Sequence, residues 1–474
     1  MTLRRLLPTL LVIIFIFGAC QPEKARQQQQ KAKYVFYFIG DGASLPQLSL
    51  TEAYLAQKSG QSGMKQLNQS KLQAHGWFYT HADNRFITGS AAAGTALATG
   101  YKTSINTISQ SADHDQNYET IAQKAKKAGM KVGIISSVSI DHATPAVFYA
   151  HSDDRGKYYE IGQQLFTSGF DLFAGGGFKE PEGEEGDKPD LYKTESNVKV
   201  LQSNQAFMHS KKADLPLYFA HERLQEGAAM PFAIDMTDSD LTLTSITRKS
   251  IELLDNSKGF FMMVEGGKID WACHANDAAA TIEGMIDFDN AVGEALKFAK
   301  QHPDETLIVV LGDHETGGLT LGNDNMDYET AFELLQYQKL SHEALMLEIK
   351  PLIEEKAGFE AAMEFVGAQF GLGTHIELTD KDRLDLKKSW EASVNYAGKD
   401  VDLLYGSVQQ FLYKAMQMLN RKAGVGWSST AHTGLPVIVH AHGAGAKAFE
   451  GILDNTDIPR LMEKHMGLNS LVNK

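Results

Sequence analysis

Short, uninterrupted runs of apolar and β-branched residues recur along the chain: KYVFYFIG (33–40), MKVGIISSV (130–138), GFFMMVEGG (259–267), ETLIVVLGDH (305–314) and LPVIVHAHG (435–443). Runs of this length without polar alternation predict strands buried on both faces. Between them lie stretches of helical spacing, for example 118–128 and 276–299, where Ile282, Ile286, Val292 and Leu296 recur on one side. The alternation predicts an α/β fold with a mostly parallel central sheet covered by helices on both faces. Residues from about 325 to 425 break the pattern; they are helix-rich and charged, and read as an insertion forming a lid, a crown or a subunit contact. The acidic KEPEGEEGDKPD (179–190) reads as a surface loop. One domain over 34–474 with a large insert fits this layout better than two independent domains.

The first 20 residues follow a different rule. Arg4 and Arg5 precede LLPTLLVIIFIFGAC, an apolar run shorter than the roughly 20 residues of a spanning helix. It reads as an export signal, and FGAC resembles the lipobox after which a bacterial signal peptidase cuts and the cysteine, here Cys20, is lipidated. Residues 21–33 have no apolar face and suit a polar tether. This places the folded part in the periplasm or cell envelope, held to a membrane through Cys20. The net charge of −14 becomes more negative without Arg4 and Arg5, which argues against nucleic-acid binding as a primary role. Cys273 is the only other cysteine, so with Cys20 acylated no intrachain disulfide is available.

In open α/β sheets, loops and helix N-termini converge at the carboxyl ends of strands, and functional groups collect there. Asp41 follows the first apolar run, Glu265 the third, and Asp313 with His314 the fourth. His142, Thr144 and Arg155 lie downstream of the second run, and His432 just before the last. Each alone reads equally well as a helix cap or a satisfied core histidine. Five strand ends carrying metal-type ligands together point to an ion site. In EGGKIDWACHAND, Asp270 and His274 are four apart at the start of a helix expected to continue through Ile282 and Ile286, so both project from one face. Imidazole with carboxylate favours zinc over magnesium, whereas Glu265 and Thr144 offer only oxygen and suggest a third, harder ion.

FITGSAAAGTALATG (86–100) places Ser90 ahead of a run in which Leu97 is the only bulky side chain. At a helix start, unpaired backbone N–H groups favour an anion, and small neighbours let phosphate and metals approach the backbone. A nearby zinc ion would lower the hydroxyl's pKa without a histidine base.

With these residues in view, the chain resembles the alkaline phosphatases from about residue 34 to its end. IGDG, SAAAGTALATG, HATPA, EGGKIDWACH, GDHETGG and AHTG occur in that family's order. The resemblance implies hydrolysis of phosphate monoesters, with inorganic phosphate as product, through a phosphoserine on Ser90. It implies two Zn2+ and one Mg2+: Asp270, His274 and His432 would hold the first zinc, and Asp41, Asp313 and His314 the second. Asp41 would also bridge to the magnesium, completed by Thr144 and Glu265. Arg155 matches the family's phosphate-clamping arginine. Family members are commonly homodimers.

Three positions depart from the best-known bacterial type. Gly89 replaces the acid that usually precedes the nucleophile and steadies the arginine, which implies a looser clamp. His142 and Trp271 stand where that type has an acid and a lysine. His142 is similar to animal and some marine or cold-adapted bacterial members, and Trp271 to the latter; Trp271 is read as either a pocket wall or a substrate contact. Two alternatives remain at this point, a phosphodiesterase of the same superfamily and a non-catalytic lipoprotein that binds zinc or phosphate. A sulfatase is excluded, because Ser90 is followed by Ala-Ala-Ala and not by x-Pro-x-Arg.

Overall fold

The computed structural model describes residues 31–468 except 325 and 396–399, so the signal segment and Cys20 lie outside the described residues. Its centre is a ten-stranded sheet. Strands β1 (Tyr34–Gly40), β2 (Ala74–Tyr79), β3 (Lys131–Ser136), β4 (Leu172–Gly175), β5 (Lys199–Leu201), β6 (Leu217–Ala220), β7 (Phe260–Glu265) and β8 (Thr306–Gly312) are joined by two late strands, Val437–Gly443 and Gly451–Asp454. The spatial order is Gly451–Asp454, β2, Val437–Gly443, β8, β1, β7, β3, β4, β6, β5. From β8 to β5 all neighbours are parallel, and Val437–Gly443 runs antiparallel to both β8 and β2. The expected α/β architecture is therefore present, with one reversed strand.

Every residue of β1 is buried because its two faces serve two cores. Val35, Tyr37 and Ile39 pack into one apolar cluster, and Tyr34, Phe36 and Phe38 into the other. Each such side chain contributes roughly 1.5–3 kcal/mol by leaving water. Helix Ala278–Ala299 covers the second face, where Phe288 meets Phe38 edge-on at 5.9 Å.

Two details differ from the sequence reading. The helix carrying Asp270 and His274 spans only Lys268–His274 and does not continue through Ile282. Asn276 adopts φ 52° and Asp277 accepts a hydrogen bond from Ala280 N at 3.0 Å, which starts helix Ala278–Ala299 afresh. Asp270 and His274 still share one face. His432 belongs to a two-residue strand, His432–Thr433, paired with Glu315–Thr316, and it precedes the penultimate strand of the sheet, not the last.

Four helices, His342–Glu354, Phe359–Phe370, Asp380–Asn395 and Gln410–Ala423, occupy the segment that interrupts the alternation. Their apolar faces close a third cluster with Leu50, Ala53 and Tyr54 of helix Leu45–Lys58. Asp277 pins this layer to the sheet domain by accepting hydrogen bonds from His342 N at 2.9 Å and Gln338 Nε2 at 2.7 Å. A small hairpin, Val401–Asp402 with Ser407–Val408, reaches back from it.

Candidate active site

Strand register sets the site. Gly40 pairs with Gly312, so Asp41 and Asp313, the next residues, leave the sheet side by side. Ile39 and Ser136 both flank Glu265. The glycines make the approach feasible: a Cβ on Gly312 would lie 1.8 Å from Ala43 O. Gly42 has φ +70°, and a Cβ there would meet Asp270 Oδ1 at 2.7 Å.

The structure brings all eight expected ligands to this end of the sheet. His274 Nε2 lies 3.3 Å from Asp270 Oδ2 and 3.1 Å from His432 Nε2, and His432 Nε2 is 3.7 Å from Asp270 Oδ1. The Nδ1 atoms of both rings face carbonyls, His274 to Thr430 O at 2.6 Å and His432 to Thr88 O at 2.8 Å. Those bonds assign the protons to Nδ1 and turn two Nε2 lone pairs toward each other, an arrangement that demands a cation between them. Burial opposes a proton on His274, but adjacent Asp270 holds its value above the ordinary histidine one.

Beside it, His314 Nε2 is 3.3 Å from Asp313 Oδ2, 3.5 Å from Asp41 Oδ1 and 3.2 Å from Ser90 Oγ. Asp270 also comes within reach of Asp41 and His314, so it stands between the two sets. Thr144 donates to Asp41 Oδ2 at 3.1 Å, and Asp41, His142 and Glu265 form a third group of potential ligands.

Four buried carboxylates crowd together. Burial, then the neighbouring acids Asp313, Asp270 and Glu265, push Asp41 well above the carboxylate range. Burial pushes Glu265 up to about 8 and Asp313 up to about 7. Burial also works against Asp270, but His274, His432 and His314 pull it below its ordinary value. Burial holds His314 and His432 neutral, as ligands must be.

Metal ions fit these residues. Asp41 Oδ1, Asp270 Oδ2, Asp313 Oδ2 and Glu265 Oε1 are buried and accept no hydrogen bond, which is costly for carboxylates without another partner. The 3.1–3.7 Å spacings in the first set also match the roughly 3.3 Å ligand separation of a tetrahedral zinc with bonds of about 2.0–2.1 Å.

Ser90 opens helix Ser90–Thr99, with Gly89 at the cap position and no side chain capping the end. The first N–H groups therefore remain available to an anion. Small residues are needed along this helix because it packs tightly: a Cβ on Gly94 would meet Val147 Cγ2 at 3.0 Å.

Arg155 Nη2 donates to His142 Nε2 at 2.9 Å and to the Tyr405 hydroxyl at 3.2 Å. Burial, then the Arg155 charge, keep His142 neutral. His142, Trp271 and Tyr405 line a cavity of about 170 Å3 with Lys179, Glu226 and Glu343. The Trp271 ring is stacked on Tyr405 at 5.0 Å. A larger cavity, about 650 Å3, runs along helix Ala278–Ala299 and contains none of these residues.

Three contributors escaped the sequence reading. Thr316 Oγ1 donates to Asp270 Oδ1 at 2.5 Å and lies 3.3 Å from His314 Nδ1, from which it accepts. Ser136 donates to Glu265 Oε2. Tyr405 holds Arg155. Thr316 and Ser136 lie within or beside the motifs already singled out, where a hydroxyl near an acid is a signal; Tyr405, in the insertion, carries none.

Comparison with known proteins points one way. The family model described as alkaline phosphatase matches residues 32–468. The chain is 29% identical over 459 residues to alkaline phosphatase 4 of Bacillus subtilis, covering 94% of this chain and 91% of that protein. The crystal structure of the cold-active alkaline phosphatase from a psychrophilic Shewanella sp. superposes with a TM-score of 0.76 at 28% identity, over 91% of this chain and 99% of that one. That of Thermus thermophilus alkaline phosphatase gives 0.75 at 26% identity, over 95% and 96%.

Proposed function

Because the chain belongs to the alkaline phosphatase family, we propose that it hydrolyses phosphate monoesters through a phosphoserine on Ser90, at a site for two zinc ions and one magnesium. The observation that carries this is Ser90 Oγ, at an uncapped helix N-terminus and 3.2 Å from His314 Nε2, among buried carboxylates that each keep one oxygen without a hydrogen bond. Asp270, His274 and His432 would hold one zinc, Asp41, Asp313 and His314 the other, and Asp41, Thr144 and Glu265 the magnesium. When bound, such ions lower the pKa of an alcohol and offset the charge that develops on attacking and leaving oxygens.

The chain's own groups do the rest. Arg155 presents its Nη1 and Nε N–H groups to the phosphate oxygens, and the first N–H groups of the Ser90 helix receive the same anion. Held there, the phosphorus lies in front of Ser90 Oγ, which forms the new bond as the ester oxygen departs on the opposite side. Water then attacks the phosphoserine, releasing inorganic phosphate and restoring the hydroxyl. The same reading places the enzyme in the cell envelope, lipid-anchored at Cys20, as a homodimer in which the 325–425 insertion is a lid or subunit contact.

The test is turnover of p-nitrophenyl phosphate at alkaline pH. Activity should vanish with a chelator and return with zinc. Ser90→Ala should lose about a thousandfold or more of kcat while keeping its metals. Unchanged turnover in that variant would remove the nucleophile assignment. Activity that survives chelation would leave a serine activated by His314 alone.

A further inference from the structure

Arg155 reaches the site from a loop, and the position where the family's acid would steady it is Gly89, beside which a Cβ would meet only His432 Cε1 at 4.0 Å. Space there is open, so steric exclusion does not explain the missing acid. The support comes from His142 and Tyr405 instead. Among the described residues, both side-chain hydrogen bonds of the Arg155 guanidinium fall on Nη2, one to His142 and one to Tyr405. Both Nη2 hydrogens are thereby spent and the guanidinium plane is fixed, which leaves the N–H groups of Nη1 and Nε, on two different edges, to a ligand.

We propose that Tyr405, delivered by the insertion, is the positioning residue that aims Arg155 at phosphate; this rests on the reading of Arg155 as the phosphate clamp. Tyr405 lies in the hairpin tip closed by Leu403 N donating to Gly406 O at 3.1 Å, and Gly406 has φ +78°. Its ring is stacked on Trp271 and stands 5.4 Å from His142 and 5.5 Å from His274. Trp271 is fixed in turn by the Lys268 ammonium, 4.5 Å from its ring, which pairs at 3.0 Å with Glu343 of helix His342–Glu354. The inserted layer thus grips the site at two points, one through Glu343 and Lys268, the other through Tyr405. Only the second reaches the clamp. An arginine held by a neutral hydroxyl keeps its full charge for the ligand, whereas a carboxylate partner would share it.

Tyr405→Phe keeps the stacked ring and removes the hydroxyl. KM for p-nitrophenyl phosphate and the inhibition constant of inorganic phosphate should rise together by roughly 10- to 100-fold, the loss expected for one hydrogen bond to a charged group. The kcat should stay within about twofold. In an Arg155→Ala background the same substitution should change neither constant further, because the group being positioned is gone. Phosphate inhibition equal to wild type in Tyr405→Phe overturns the proposal, and so does an equal loss in both backgrounds. An effect seen in Tyr405→Ala and absent in Tyr405→Phe assigns the ring to packing and overturns it as well. Wild-type protein that neither turns over the ester nor binds phosphate overturns the functional reading itself, and this is read before any variant is made.

Discussion

Removing the Thr316 hydroxyl should loosen both proposed zinc positions at once. Its single O–H donates to Asp270 Oδ1 at 2.5 Å, and its oxygen accepts from His314 Nδ1 at 3.3 Å. The first contact orients a carboxylate that stands between two ligand sets; the second fixes the His314 tautomer that turns the Nε2 lone pair toward Ser90. A hydrogen bond to a buried charged group is worth about 1.5–3 kcal/mol. At tenfold per 1.4 kcal/mol this becomes roughly 10- to 100-fold in zinc affinity, the range found when the outer partners of metal ligands are removed. Thr316→Val swaps the hydroxyl for a methyl of similar volume, and Thr316→Ala removes it without placing a methyl against the carboxylate. Thr316→Ser keeps the donor. Dialysis against zinc buffered by a chelator, with metal content and activity followed together, should show Val and Ala variants half-loaded at 10- to 100-fold higher free zinc and the Ser variant close to wild type. If Thr316→Ala retains zinc as tightly as wild type, the hydroxyl does not set these ligands. Loss confined to one ion would contradict the placement of Asp270 between them.

Two further outcomes follow from geometry and charge. Gly312→Ala should either fail to fold or fold with displaced Asp41 and Asp313, since its Cβ would lie 1.8 Å from Ala43 O; soluble protein with wild-type metal content and turnover would refute the close-approach argument. His440 packs 2.8 Å from His75 through Nδ1, and burial pushes it down to about 3. With its folded value below the ordinary 6.5, its contribution is full above that pH and is lost as pH falls toward 3, at up to about 1.4 kcal/mol per unit. The urea midpoint of His440→Gln should therefore fall less between pH 7 and pH 4 than that of wild type. Parallel slopes would show that His440 titrates normally.

What the sequence revealed of the fold is physically selective. The five runs read as strands are Val437–Gly443, β8, β1, β7 and β3, which lie consecutively in the middle of the sheet. Covered on both faces, they need unbroken apolar sequence. The strands that went unread flank them. In β2, AHGWFY alternates buried and exposed positions, and β4, β5 and β6 are three or four residues long. Such segments owe their conformation to neighbours, and no local period announces them. The candidate ligand residues were legible because most end or follow a strand that was itself legible, and His432 shortly precedes one. Tyr405 was not, because its place depends on an insertion docking through Asp277, Glu343 and a hairpin turn, contacts that no spacing encodes.

Asp41 and His432 bracket nearly the whole folded chain, and the groups proposed to share ions come from its beginning, middle and end. Of the three proposed sets, only that of Asp270, His274 and His432 needs the final fifth of the chain, where His432 pairs with Glu315–Thr316 ahead of the reversed strand Val437–Gly443. That set would therefore be the last of the three to close as the chain grows.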